Sequence, residues 1–236
     1  MSRKKYLVVG CKPWNRRVFD EALRDLAGDW FFIGAREELT IDAVHAINPS
    51  YIFFLHWSWR VPEELVRDFE CVCFHMTDVP YGRGGSPLQN LIVRGHRETK
   101  LTALRMTAAF DAGPVYLKRP LSLEGNAEEI LIRASEVSAQ MIKIIVARRP
   151  KPRAQRGTPT VFQRRKPAES LIPSQPSLRA LHDFIRMLDA DGYPRAFLDH
   201  DGFRYEFRRA ALCDGRILAD VTITPLAAHN IPGSKS

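Results

Sequence analysis

Four short apolar runs set the strongest constraint on this chain: Lys5 to Gly10, Trp30 to Ile33, Tyr51 to Leu55 and Cys71 to His75. A strand buried on both faces reads as a continuous apolar run, as strands of parallel sheets do. Between the runs, apolar residues return at helical spacing. Val18, Ala22, Leu23 and Leu26 mark one helix, and Ile41 to Ile47 another. Strand and helix in alternation call for a mostly parallel sheet flanked by helices, an α/β core of Rossmann-like kind.

After a loop rich in glycine and proline, Leu88 to Val93 resumes helical character. Lys100 to Met106 and Val115 to Leu121 read as two strands joined around Asp111-Ala112-Gly113. Asn126 and Glu129 have the spacing of a capping box, opening a long helix that Ile130, Ala134, Val137, Met141 and Ile145 carry to about Ala147. The arginine- and proline-rich stretch from Arg148 to Gly157 is a natural boundary. We therefore expect a main domain over 1–150 and a linker with a small α+β appendage over 151–224. The appendage should hold a helix over Leu178 to Leu188 and strands near 196–198, 205–211 and 217–224, with a flexible tail over 225–236.

Composition narrows the function classes. A chain of 236 residues with 45% hydrophobic content can bury a substantial core. Its apolar runs fall far short of the roughly 20 residues that span a bilayer, and the start lacks the apolar stretch of a signal peptide. A cytoplasmic protein with no membrane partner is expected. The four cysteines show no zinc-site spacing, so buried free thiols and no metal are the expectation. The net charge of +8 is scattered apart from a dense run over Lys143 to Arg165. It lacks the basic stripe with interleaved aromatics of a nucleic-acid protein, and an anionic small substrate accounts for it equally well.

The segment from Phe74 to Pro87 carries most of the chemical information. His75 stands just past an apolar strand, where ligands of open α/β sheets bind. Gly82, Gly84 and Gly85 follow, where backbone can approach a ligand closely. A tight turn with a structural histidine is the competing reading. Asp111 alone reads as a turn-former; an aspartate that reaches an imidazole instead fixes its tautomer and stabilises its protonated form.

Together, His75, Pro80, Arg83, Gly84 and Pro87, followed by Asp111 and Gly113, resemble the signature of formyltransferases that use 10-formyltetrahydrofolate. The resemblance runs over roughly residues 4–212, because Met187-Leu188 through Tyr193-Pro194 and Ala196-Phe197 also look like a segment of that family. The wording around His56 to Trp59, His75 to Asp78 and Gly84 to Asn90 is most similar to the pseudaminic-acid-type members, which formylate CMP-linked nonulosonic acids. The resemblance implies attack of a substrate amine on the formyl carbon at N10, through a tetrahedral intermediate. It places His75 as the base, Asp111 as its orienter and charge partner, and Asn90 or Thr77 as an oxyanion donor, with backbone N–H groups near Gly84 and Gly85 as further donors. A donor is needed because Cys73 stands where the family usually has an asparagine, and a thiol donates weakly.

By the same resemblance, Pro80, Arg83, Gly84, Thr107, Phe110 and Asp111 bind the folate. Lys12, Trp14, Asn15, His56, Trp57, Trp59 and Thr77 meet the nucleotide-linked amino sugar. No nucleic-acid partner is implied, and a homodimer through the apolar face of the appendage is open. Three other readings remain. One is formylation of a dTDP- or UDP-linked 4-amino-4,6-dideoxy sugar. Another is formylation of methionyl-tRNA, although tRNA formyltransferases carry a larger C-terminal barrel. The third is an inactive homologue that senses folate or a nucleotide.

Overall fold

The computed structural model describes residues 3–226, which separate into two compact units. The tail expected over 225–236 lies outside the described residues from 227 onward. Residues up to 124 and 129–164 form the first unit; residues 125–128 and those from 165 form the second.

In the first unit the chain runs through β1 (Lys5–Val9), α1 (Pro13–Val18), β2 (Asp29–Ile33), α2 (Ile41–Ile47), β3 (Tyr51–Phe54), α3 (Glu63–Asp68) and β4 (Cys71–His75). It continues through β5 (Arg83–Gly84), α4 (Pro87–Val93), β6 (Glu98–Arg105), β7 (Val115–Ser122), α5 (Ala127–Arg148), whose first turn belongs to the second unit, and β8 (Val161–Phe162). The sheet order is β2-β1-β3-β4-β6-β7. The first four strands pair in parallel, while β6 and β7 are antiparallel additions beyond β4. The sheet is therefore mixed, and mostly parallel.

Strand alternation explains the packing. Leu7 and Val9 of β1, Ile52 and Phe54 of β3 and Cys71 of β4 join Val44 of α2 and Leu65 of α3 in one buried cluster. Burying each large aliphatic side chain contributes roughly 1.5–3 kcal/mol, so this cluster holds the helices to the sheet. Helix α2 begins where the Thr40 hydroxyl accepts the Ala43 N–H at 3.2 Å and ends at Asn48 in left-handed conformation, φ 50°. The periodicity over Val18 to Leu26 predicts a single helix. Instead α1 stops at Val18 and the chain widens to a π-type turn over Phe19–Leu23, with Arg24 N–H bonding to the Phe19 carbonyl.

Residues 151–164, expected to be a linker, are a strap built into the first unit. Arg153 and Val115 exchange both backbone hydrogen bonds, at 2.7 and 2.9 Å. Further on, Thr160 N–H reaches the Pro80 carbonyl at 3.1 Å, Arg83 N–H the Thr160 carbonyl at 2.9 Å, and Gly85 N–H the Phe162 carbonyl at 3.1 Å. Strand β8 thus pairs in parallel with β5. Phe162 is fully buried, with the Tyr81 ring edge-on at 5.4 Å and the Arg94 guanidinium 4.6 Å from its centroid. A β-carbon at Gly82 would come within 2.7 Å of the Phe162 ring, so only glycine fits there.

The second unit contains α6 (Leu178–Arg186) and a three-stranded antiparallel sheet of β9 (Ala196–His200), β10 (Phe203–Cys213) and β11 (Arg216–Pro225), in the order β11-β10-β9. Each strand pair is closed by an Asp-Gly turn, Asp201-Gly202 and Asp214-Gly215, with all four residues at positive φ. Ser177 caps α6 by accepting the Ala180 N–H at 3.1 Å. Within the helix, buried Arg186 bonds Asp183 at 2.6 Å and reaches the Gly125 carbonyl at 2.7 Å.

Replacing Phe162 with alanine should destabilise the chain by about 3–5 kcal/mol, the usual cost of deleting a fully buried phenylalanine. Chemical denaturation of Phe162→Ala against the parent measures it, and a change under about 1 kcal/mol would show that the strap is not packed as described.

Candidate active site

Alternation along β4 places Cys71, Cys73 and His75 on one face of the sheet. His75 is buried, at 8% exposure, and its ring is held from two sides. Nε2 lies 2.7 Å from the Gly82 carbonyl, which also accepts the Thr77 hydroxyl at 3.2 Å. Nδ1 lies 3.5 Å from Asp111 Oδ1. Because a carbonyl only accepts, Nε2 carries the proton of the neutral ring. Nδ1 is then the nitrogen free to take up a proton, with a carboxylate alongside to stabilise the resulting cation.

Asp111 is fixed in turn. Its Oδ2 accepts the Gly84 N–H at 2.9 Å, and its backbone is left-handed, φ 50°. A β-carbon at Gly113 would sit 1.8 Å from the Arg105 carbonyl oxygen, so the loop behind Asp111 closes only on glycine. The His75 loop and the Asp111 loop are thereby joined by one carboxylate, which touches the imidazole with one oxygen and a backbone amide with the other.

Beside this pair lies a cavity of about 570 Å³. Its floor is Cys73 and Leu104, one wall is Met106 to Asp111 with Pro114, and the other is Val61, Glu63 and Val66 with Arg60 and Arg67 at hand. Such a volume suits a mid-sized organic ligand. Of the residues expected to bind folate, Thr107, Phe110 and Asp111 line the cavity, and Phe110 is 75% exposed. Pro80, Arg83 and Gly84 do not line it: they hold the loop, Pro80 by its carbonyl on Thr160 and Gly84 by its N–H on Asp111. The Arg83 guanidinium is taken up by the Gln155 side-chain oxygen, at 2.8 and 3.0 Å. The wall from Val61 to Arg67 was not anticipated, although Glu63-Glu64 opening a turn with Leu65 and Phe69 at helical spacing marks α3.

The residues expected to serve as oxyanion donors have other work. Asn90 donates to the carbonyls of Gly85, Ser86 and Gln163 and accepts from Arg94, so its amide fastens the loop and leaves no N–H for an oxyanion. Thr77 is fully buried and donates to Gly82, while its own carbonyl accepts the Thr102 hydroxyl at 2.7 Å. The same holds for the Gly84 and Gly85 amides, engaged by Asp111 and Phe162. Cys73 faces the cavity, and burial followed by the nearby Asp111 carboxylate pushes its thiol far up, so it stays protonated. Cys71 is pushed up to about 12, chiefly by burial.

The expected acceptor-side residues divide. Asn15 is 1% exposed; its oxygen accepts the Lys12 N–H at 3.1 Å to start α1, and its amide donates to Ser135 at 3.1 Å. Trp14 is buried beneath the Lys12 ammonium, which sits 5.8 Å from its ring. Both shape the turn and do not form an open surface. His56 and Asn15 line a cavity of about 20 Å³, room for a single water. Trp57 packs against the buried cluster and meets the 39%-exposed Trp59 edge-on at 4.8 Å. Lys12, His56 and Trp59 follow β1 and β3, whose neighbouring positions with crossovers to either side make this the switch point where α/β sheets bind ligands. Among the described residues no cluster of three His, Cys, Asp or Glu side chains could hold a metal, and no helix is long and apolar enough to cross a membrane.

Comparison with known proteins decides the family. A solved structure named methionyl-tRNA formyltransferase from Clostridium thermocellum is 44% identical, covering 94% of this chain and 99% of that one, with a TM-score of 0.89. The chain belongs to the formyltransferase family. A family model described as the C-terminal domain of methionyl-tRNA formyltransferase matches residues 167–224. The methionyl-tRNA formyltransferase of Rickettsia felis is 28% identical over 111 residues, 45% of this chain, so the match spans only 37% of that protein's length. The fold is shared with a sugar N-formyltransferase from Shewanella sp., TM-score 0.65 at 15% identity, covering 89% of this chain and 99% of that one.

His56 gives this site a measurable pH signature. Burial, reinforced by Lys12, lowers its pKa from the ordinary 6.5 to about 4. Between those values the unfolded chain binds a proton that the folded chain does not, so stability falls as pH drops from about 6.5 to about 4. His56 has φ 48°, a conformation asparagine tolerates. The loss of Tm across that window should be smaller in His56→Asn than in the parent, and equal losses would remove His56 as a cause.

Proposed function

We propose that this chain transfers the formyl group of N10-formyltetrahydrofolate to a primary amine, as a cytoplasmic enzyme. The observation that carries this reading is the His75–Asp111 pair at the edge of a cavity large enough for a pterin. In this reading the folate enters between the wall from Val61 to Arg67 and the segment from Thr107 to Asp111, where exposed Phe110 gives an apolar platform. The amine attacks the formyl carbon. As the tetrahedral intermediate forms, His75 Nδ1 takes the proton that the nitrogen sheds, and Asp111 balances the imidazolium. Proton return to N10 then accompanies its departure, giving the formamide and tetrahydrofolate. In this reading the oxyanion is balanced by the positive charge of the protonated ring and not by a dedicated N–H. Nε2 is held by the Gly82 carbonyl, Nδ1 faces Asp111, the neighbouring amides are engaged and Cys73 is a weak donor.

For the acceptor we favour a nucleotide-linked amino sugar, CMP-linked nonulosonates before dTDP- or UDP-linked 4-amino sugars. Support comes from the cation and aromatics beyond β1 and β3, with Lys12 able to meet a phosphate and Trp57 and Trp59 giving stacking surface. A second reading, methionyl-tRNA as acceptor, draws its support from the name of the 44%-identical relative and from the dense basic run over Lys143 to Arg165.

His75→Ala or Asp111→Asn should lower turnover at least about 100-fold, the scale of lost acid–base catalysis; near-parent turnover in both would reject the site. Mass spectrometry of a panel of CMP-, dTDP- and UDP-linked amino sugars and charged methionyl-tRNA, each with 10-formyltetrahydrofolate, tests the acceptor. One formyl group gained by a sugar and abolished by His75→Ala supports the first reading. Formylation of methionyl-tRNA alone supports the second, and transfer to no member would leave formyl transfer itself without support.

A further inference from the structure

Gln155 lies on the strap, outside every residue that sequence reasoning assigned to the site. Its side chain uses its full hydrogen-bonding capacity. Nε2 donates to the Asp111 carbonyl at 2.7 Å and the Gly113 carbonyl at 2.8 Å, while Oε1 accepts both Nε and Nη2 of Arg83, at 3.0 and 2.8 Å. Arg83 is followed by Gly84, whose N–H donates to the Asp111 carboxylate at 2.9 Å. The contacts close into a ring: Gln155 to Arg83, along the chain to Gly84, across to Asp111, and back to Gln155.

We propose that Gln155 is a positioning residue that sets the Asp111 carboxylate against His75. Three observations support the assignment. Asp111 sits in the left-handed region at φ 50°, a conformation aspartate readily adopts in turns, and Gln155 fixes that turn by holding the peptide carbonyls of Asp111 and Gly113. The contact it controls is open to change: His75 Nδ1 and Asp111 Oδ1 are 3.5 Å apart, so a displacement of one ångström decides whether they interact. Finally, a side chain with donors and acceptor all engaged has nothing left for a ligand, so Gln155 acts through Asp111 and not on substrate.

The proposal rests on the formyl-transfer reading for its kinetic consequence but not for its geometry, and both are testable. Gln155→Met keeps the volume and removes all four hydrogen bonds. Gln155→Glu keeps the shape and the Arg83 contact but turns an oxygen toward two carbonyls. In both variants hydrogen exchange at the Gly84 amide should quicken at least about tenfold, as its acceptor moves away, while the amides of Leu7 to Val9 stay protected. Turnover should fall by about 10- to 100-fold with the dissociation constant for tetrahydrofolate changed by less than about twofold, as a misplacement near one ångström produces. In an Asp111→Asn background the same substitutions should cost less than about threefold, because residues acting through one another are not additive. An unchanged Gly84 amide in both variants, or a loss of turnover of equal factor in both backgrounds, overturns the proposal. Gly84 exchange needs no substrate. A parent chain that formylates nothing therefore defeats the functional reading alone, and the amide still decides whether Gln155 places Asp111.

Discussion

The Asp111 carboxylate is the group on which the parts of this site converge. One oxygen faces the imidazole of His75 and the other takes the amide of Gly84, so a single planar group fixes the spacing between two loops that belong to different parts of the sheet. Such a carboxylate can do this only if its own backbone is held. The restraints come from the glycine that lets the loop close at Gly113 and from the strap that crosses behind it. The buried cluster beneath β1, β3 and β4 supplies rigidity but no geometry of this kind. Apolar packing makes the platform, and a small number of directional bonds sets the chemistry upon it.

Sheet topology decides where the cavity falls. Since β6 runs antiparallel to β4, with Thr102 opposite His75 and Arg105 opposite Val72, the chain leaving β6 emerges at the amino end of β4. The segment from Met106 to Asp111 must therefore come back along the face of the sheet to reach His75. The space it encloses with α3 is the cavity. A chain whose fifth sheet strand had stayed parallel would have placed that loop beyond the strand end, where His56 and Lys12 lie.

Much of this was legible beforehand. Strands β1 to β4 stand out because parallel strands are apolar on both faces, and His75 is conspicuous at the end of one. Asp111 was legible only beside His75 and the family pattern. What stayed hidden was held by backbone. The strap reads as an arginine- and proline-rich linker because much of its hold is through carbonyls and amides at Arg153, Thr160 and Phe162. Its two anchoring side chains, Gln155 and Phe162, stand alone with no periodicity to mark them. Asn90 and Thr77 show the converse. An amide or hydroxyl looks the same in sequence whether it faces a ligand or secures a loop, and only the carbonyls around them settle it. The three strands of the second unit were legible from their apolar pattern, while the Asp-Gly turns at 201–202 and 214–215 that join them were not singled out, although Asp-Gly is a hairpin signal.

The late position of the strap has a consequence for the growing chain. All six strands of the main sheet lie between Lys5 and Ser122, with His75 and Asp111 already among them. Gln155, Thr160 and Phe162 are made only after the whole of α5. Domains form as the amino-terminal part emerges from the ribosome, at about 5–20 residues per second. The chain thus passes through a stage in which its sheet is complete but the loop around Gly84 still lacks its clasp. The bonds that Gln155 makes to Arg83, Asp111 and Gly113 are the last of this site to become possible.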